Sequence, residues 1–203
     1  MGDVVDLRSD ARDWREVMIG GGTPAVQLDR LHVDRATNAT TSLVRFPEGW
    51  SRPDTGYYPC AEEVLVIEGE ITVSGATYRA GDYGYMPPFH SREDSSSSGC
   101  LVLAWFSGPP GWNLGDATGL ITHEPAHSKA AVAYRPARSP QGAPGDPGHA
   151  LVQGRAATVA PLGERRVPGV VELVDLASWR WTLLGEDEPY PDWSGAVFTR
   201  LWS

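Results

Sequence analysis

The chain has 203 residues and a net charge of -9, with 17 Lys and Arg against 26 Asp and Glu. Beyond the pair Arg165 and Arg166 there is no basic cluster to track a phosphate backbone, which excludes a nucleic-acid groove. No apolar run nears the eighteen or so residues of a membrane-spanning helix, and 23 Gly with 17 Pro favour short strands and turns over long helices.

Residues 1–24 read as an N-terminal arm. Their opening, "MGDVVDLRSDARDW", is acidic and has no apolar h-region, so no signal peptide is expected and a cytoplasmic location is. Cys60 and Cys100 are then expected as buried thiols rather than a disulfide. Residues 25–110 read as an all-β barrel. In "AVQLDRLHV" the apolar positions are Val26 and Leu28, then Leu31 and Val33 after a slip of one. "TTSLVRF" is a β-branched run that should stop at the turn signal "PEG". "EEVLVIEGEITVSGATYRAGDYGYMPP" predicts three short strands punctuated by Gly69, Gly75 and Gly81. "SREDSSSSG" is polar enough to read as a mobile loop at the rim, and "GCLVLAWF" as a last strand that Pro109 stops.

Residues 111–150 read as a Pro/Gly-rich connection whose core, residues 138–148, is expected to be an exposed linker or to order only by docking. Within it "HEPAH" has the outline of a zinc-protease helix motif, but the proline in its middle argues against a helix there. Residues 151–203 read as an extension with two strand-like ends, packing on the barrel or on a partner subunit. A short echo links the chain's two ends. "VDL" at Val5–Leu7 precedes "AVQLDRL", and "VDL" at Val174–Leu176 precedes "AVFTRLW". If the echo marks a second repeat, these late strands should pair with the barrel's sheet or a neighbouring subunit.

Alternation along "EEVLVIEGE" puts Glu62, Val64 and Val66 on one face and Glu63, Leu65 and Ile67 on the other. A carboxylate that points into a barrel must be paired, hydrogen-bonded, protonated or metal-bound. One of the two glutamates is therefore a site candidate on physical grounds.

"TTSLVRFPEGW", "EEVLVIEGEITVSGATYRAGDYGYMPPFH" and "GCLVLAWF" together resemble a cupin barrel, and the ChrR-like cupin group most, over Ala25 to Pro109. The resemblance implies a jelly roll with a pocket at its mouth. Family members bind zinc, iron or related metals there, while others work without metal. The family's first motif carries two histidines, a glutamate and a glycine. Counted back from Gly69, the glutamate is Glu62, and the histidine places hold Gly56 and Tyr58. The second motif ends Pro-x-Gly-x-x-His. "GDYGYMPPFH" keeps Gly81, Asp82, Pro87 and His90, which reads as two residues deleted before the histidine.

Glu62 and His90 alone are too few ligands for a zinc or iron site, so no cofactor is expected; the alternative is zinc or iron held by Glu62, His90 and a third ligand, Cys60 first, with Asp54 and Tyr58 as the other choices. The leading expectation is a small-molecule barrel that runs metal-independent isomerase, cyclase or dehydratase chemistry. Tyr58 would be its acid, Glu62 its base and His90 its shuttle. Tyr57, Arg45, Trp50, Tyr85 and Trp105 are the candidate substrate-binding residues. A ligand sensor is the further alternative, set back by the lack of a helical segment ahead of the barrel. The expected partners are a small ligand and a second copy of the chain in a homodimer.

Overall fold

The computed structural model describes residues 3–117, 157–161, 169–186, 188–193 and 196–202. The exposed connection expected at residues 138–148 and the "HEPAH" segment lie outside them. The described residues contain no helix long and apolar enough to cross a membrane. The architecture is all-β, as the sequence predicts. Its strands are β1 (Val5–Asp6), β2 (Arg15–Val17), β3 (Val26–Val33), β4 (Thr40–Arg52), β5 (Gly56–Tyr57), β6 (Glu62–Val73), β7 (Ala76–Arg79), β8 (Tyr83–Met86), β9 (Ser95–Phe106), β10 (Asn113–Leu114), β11 (Ala157–Pro161), β12 (Val170–Asp175), β13 (Arg180–Leu184) and β14 (Ala196–Trp202). They fall into two compact units, β2–β10 in one and β1 with β11–β14 in the other.

The barrel unit is a seven-stranded antiparallel sheet of order β2-β3-β4-β9-β6-β7, with β8 also pairing β6, beside the small ribbon β10-β5. The slip read in "AVQLDRLHV" is a bulge in β3, where the register with β4 shifts between Arg30 and His32. "PEG" does not end β4. The strand runs on to Arg52 through a bulge between Glu48 and Trp50, with Gly49 at φ 77°. Pairing with β3 has ended at Arg45, which leaves Pro47 at an edge position open to proline.

"SREDSSSSG" is likewise a strand and not a mobile loop from Ser95 onward. Those serines alternate buried and exposed, and β9 pairs with both β4 and β6. Ser97 Oγ donates to Glu70 O at 2.8 Å, so the buried hydroxyl is satisfied inside the sheet. A Cβ on Gly69 would lie 1.9 Å from Gly99 O, so β6 and β9 come this close only because position 69 has none. Val26, Val44, Phe46, Val64, Val66, Val102 and Ala104 form one buried cluster on the inner face. The alternate residues Glu63, Leu65, Leu103 and Trp105 are buried on the opposite face.

The second unit is a five-stranded sheet of order β1-β13-β12-β14-β11. Its late strands pair with one another and with β1 from the N-terminal arm, and not with the barrel's sheet, the first of the two pairings the echo suggested. The arm itself divides, β1 joining this sheet and β2 the barrel's. The two "VDL" copies bracket β13. Val5 and Val174 both oppose Trp181, and Asp6 and Asp175 both oppose Arg180. Each aspartate Oδ1 accepts the backbone N–H two residues on, from Arg8 at 2.9 Å and from Ala177 at 3.0 Å. Val171, Leu173, Leu184, Trp193 and Val197 form this unit's buried cluster.

Candidate functional site

The inner face of the barrel unit encloses a cavity of about 230 Å³. Leu28, Val44, Phe46, Val64, Val102 and Phe106 supply apolar wall, and Arg52, Tyr58, Glu62 and Arg92 supply a polar end. Glu62 enters it because it opens β6 on the same face as Val64 and Val66, as alternation predicts. Arg52 is the last residue of β4, carried inward by the bulge at Gly49. Tyr58 and Arg92 are brought together by backbone. Gly56 N donates to Arg92 O at 3.0 Å, Arg92 N to Gly56 O at 2.8 Å, and Phe89 N to Tyr58 O at 2.8 Å.

Arg92 Nη2 lies 3.0 Å from Glu62 Oε2, and the arginine side chain is fully buried. That contact is off hydrogen-bonding geometry, so both Nη2 and Nε of Arg92 lack a hydrogen-bond acceptor, while Nη1 donates to His90 O at 2.9 Å. Arg52 Nη1 donates to Tyr58 Oη at 3.1 Å and Nη2 to Ser95 Oγ at 3.5 Å; its Nε has no partner. The Arg52 guanidinium lies 3.8 Å from the Trp112 ring centroid and that of Arg92 4.8 Å from the Tyr58 ring, both within cation–π reach. Burial pushes the Tyr58 phenol above its ordinary pKa and the Glu62 charge adds to this, while Arg52 and Arg92 oppose it. With its oxygen already accepting from Arg52, the neutral phenol keeps its proton for another acceptor.

Of the residues expected at the site, Glu62, Tyr58 and Trp50 line the cavity. Arg45, Tyr85 and Trp105 do not. Each sits one residue out of phase with the lining positions Val44, Met86 and Phe106 or Ala104, so the pleat turns it to the other face. Arg45 lies there with its guanidinium 4.9 Å from the Trp14 ring centroid. Tyr57 leans toward Phe89, ring centroids 6.0 Å apart, and neither it nor His90 is in the lining. Cys60 and Cys100 are buried free thiols, as expected, and Cys60 is outside the lining too.

The apparent deletion in the second motif is not one. Read without a gap from Pro87, the pattern Pro-x-Gly-x-x-His puts its glycine at Phe89 and its histidine at Arg92. Phe89 has φ 63°, the left-handed conformation that a glycine place requires. Arg92 then faces Glu62, the glutamate of the first motif. Sequence reading missed Arg92 by anchoring the motif on His90, and missed Arg52 by ending its strand at "PEG". The fixed spacing from Pro87 was the signal for the first.

The metal that the fold implies does not fit these residues. The four motif places hold Gly56, Tyr58, Glu62 and Arg92, of which the glutamate alone is a common ligand and is paired with a guanidinium. A side chain at Gly56 has no room, since a Cβ there would lie 2.3 Å from Trp112 Cζ2 and 2.5 Å from Asn113 O. Among the described residues no three His, Cys, Asp or Glu side chains converge on a possible ion site, which sets aside Glu62, His90 and Cys60 as a ligand set.

Among solved structures, the chain is similar to a "putative dioxygenase" from Nostoc punctiforme, at 12% identity and a TM-score of 0.63 over 98% of this chain and 81% of that one. It is similar to an acetylacetone dioxygenase from Acinetobacter johnsonii at 19% identity and a TM-score of 0.46, over 55% of this chain and 76% of that one. It also matches the structure of Rhodobacter sphaeroides SigE in complex with the anti-sigma ChrR, at 22% identity and a TM-score of 0.37, over 49% of this chain and 51% of that one. At such identities a likeness speaks of fold and not of activity. No curated protein matches the sequence. The family described as the ChrR cupin-like domain matches residues 4–108, starting ahead of Ala25, and the chain belongs to that family.

Proposed function

We propose that the barrel binds a small organic molecule in its cavity and moves a proton on it without a metal at the motif positions. The observation that carries this reading is Arg92, a guanidinium at the second motif's histidine place and 3.0 Å from Glu62. It supplies from the protein the positive charge that an ion would otherwise bring to that carboxylate. Tyr58 is the acid. Its oxygen accepts from Arg52, its proton is available, and its raised pKa keeps it protonated. Glu62 is the base. In an isomerase or lyase of this kind the Glu62 carboxylate takes a proton from a carbon beside a carbonyl, and Tyr58 hydrogen-bonds the carbonyl oxygen as charge develops on it. His90 lies outside the cavity lining and has no part in the step.

The test couples elemental analysis to hydrogen exchange. Untagged protein, treated with EDTA, is incubated in D₂O with a panel of small ketones and 2-oxoacids and followed by proton NMR. The expected result is α-proton exchange in metal-free protein that disappears in Glu62→Gln and falls in Tyr58→Phe. Exchange that needs a stoichiometric metal would overturn the reading. Ligand binding with no exchange across the panel would favour a sensing role instead.

A further inference from the structure

We infer that the ligand is a small organic monocarboxylate with an apolar body, its carboxylate held by Arg52 and Arg92. This rests on reading the cavity as a small-molecule site, and it deepens that reading by naming the ligand's charge. Both arginines line the cavity and both are buried, Arg52 at 4% and Arg92 at 0% exposure. Their hydrogen-bonding capacity is not used up. Arg52 Nε and Arg92 Nε are buried donors without acceptors. Buried donors are nearly always satisfied, so one on each of two neighbouring guanidiniums calls for an acceptor that the barrel does not supply.

Charge points the same way. Arg92 has Glu62, but Arg52 has only neutral contacts: the Tyr58 hydroxyl, the Ser95 hydroxyl and the Trp50, Tyr58 and Trp112 rings. The polar end thus carries two guanidiniums against one carboxylate, an excess of one positive charge in a place where burying an uncompensated ion is costly. One further carboxylate balances it, and the guanidinium fork matches that group's geometry. A dianion would overshoot the balance. Arg30, exposed at the lining, draws anions toward the cavity without being buried with them. Away from the arginines the lining is mostly apolar, with Val44, Val64, Val102 and Phe106 against the two hydroxyls of Thr40 and Ser42, so the ligand's body is mainly apolar. A volume of about 230 Å³ lies below the range of roughly 300–1,000 Å³ of drug-sized sites, which sets a small acid.

Isothermal titration of EDTA-treated, full-length protein tests this with straight-chain acids from propanoate to octanoate, benzoate and phenylacetate, each beside its primary amide. The amide keeps the shape and removes the charge. At least one acid should bind, with its amide at least tenfold weaker. Arg52→Gln should weaken that acid at least tenfold, while Arg45→Gln, on the opposite face of the sheet, leaves it unchanged. Amides that bind within threefold of their acids, or no binding by any acid, overturn the inference. If Arg52→Gln fails to fold by circular dichroism, the acid and amide pair on the wild type decides alone. Equal amide binding in active metal-free protein sinks the carboxylate and leaves the proton-transfer reading standing. Acid binding in a protein whose exchange activity needs a metal does the reverse.

Discussion

Arg92 reaches Glu62 from the opposite motif, guanidinium nitrogen to carboxylate oxygen at 3.0 Å, with the arginine side chain wholly buried. The pair links the start of β6 to the turn after β8, so the first motif's glutamate and the residue at the second motif's histidine place hold each other.

Removing one member should therefore cost more than removing both. Glu62→Gln leaves a buried guanidinium without its carboxylate and should destabilise the fold by about 3 kcal/mol. The double variant Glu62→Gln/Arg92→Met removes the stranded charge and should recover most of that loss. Urea denaturation of the two single variants and the double closes the cycle, and simple additivity would count against a coupled pair.

Zinc uptake should be restorable at two positions. Tyr58→His/Arg92→His frees Glu62 from its arginine and places two imidazoles beside it, the three protein ligands of an open zinc site. Wild-type protein should stay near zero after loading with zinc and removal of excess, and the double variant should approach one equivalent by elemental analysis. Gly56→His should add nothing, because Trp112 and the Asn113 carbonyl fill the space.

Gly69→Ala should be among the most damaging single substitutions in the barrel. The residue has φ 69°, and an added Cβ would meet the Gly99 carbonyl at 1.9 Å, a backbone atom that cannot swing aside. The expected loss is about 3 kcal/mol or more, combining left-handed strain with overpacking. Gly111→Ala, with nothing within 4 Å of the added atom, is the control and should stay near wild type.

Alkaline pH should loosen the fold in a defined window. Burial raises the phenol of Tyr58 first of all, and the thiol of Cys100 is pushed up to about 11, again mainly by burial. A group whose folded pKa is raised contributes stability that is complete below its unfolded pKa and is lost as pH climbs through the folded value. Stability should thus hold through neutral pH and fall from about pH 9–10 upward, the unfolded thiol and phenol values marking the onset. Denaturation midpoints across that range, with Tyr58→Phe and Cys100→Ser alongside, check it; each variant should flatten part of the slope. At pH 8 both thiols should react with a disulfide reagent only after unfolding, since both are buried.

Much of the barrel was legible in the residues. Alternation in "EEVLVIEGE" separated Glu62 and Val64 from Glu63 and Leu65 onto opposite faces, the motif count chose Glu62, and the slip at Leu31 was a real bulge. Tyr58 was found through the motif spacing. What failed was reading polarity as exposure. Ser95–Ser98 looked like a solvated loop, but serines can alternate across a strand, and Ser97 spends its hydroxyl on a backbone carbonyl. Proline and glycine in "PEG" looked like an end, but a bulge absorbs both at a strand edge. Arg52 was lost with that misplaced end. Arg45, Tyr85 and Trp105 were not tested against strand phase; the two-residue period around Val44, Met86 and Ala104 turns them to the other face.

The pairing of β1 with β13 has a consequence for how the chain is made. Val5 and Trp181 are neighbours in the sheet, yet a ribosome releases the first long before the second exists. Throughout synthesis of the barrel the opening strand has no partner, and the sheet it belongs to can close only when the last strands emerge. Such far-apart pairings raise contact order and slow folding. They also leave a bare strand edge waiting, which invites pairing with other chains. Asp6 lies in that waiting strand, and Asp3, Arg8 and Asp10 lie close by. Charged side chains in and beside a bare strand are the kind that keep an unpartnered edge from finding the wrong neighbour.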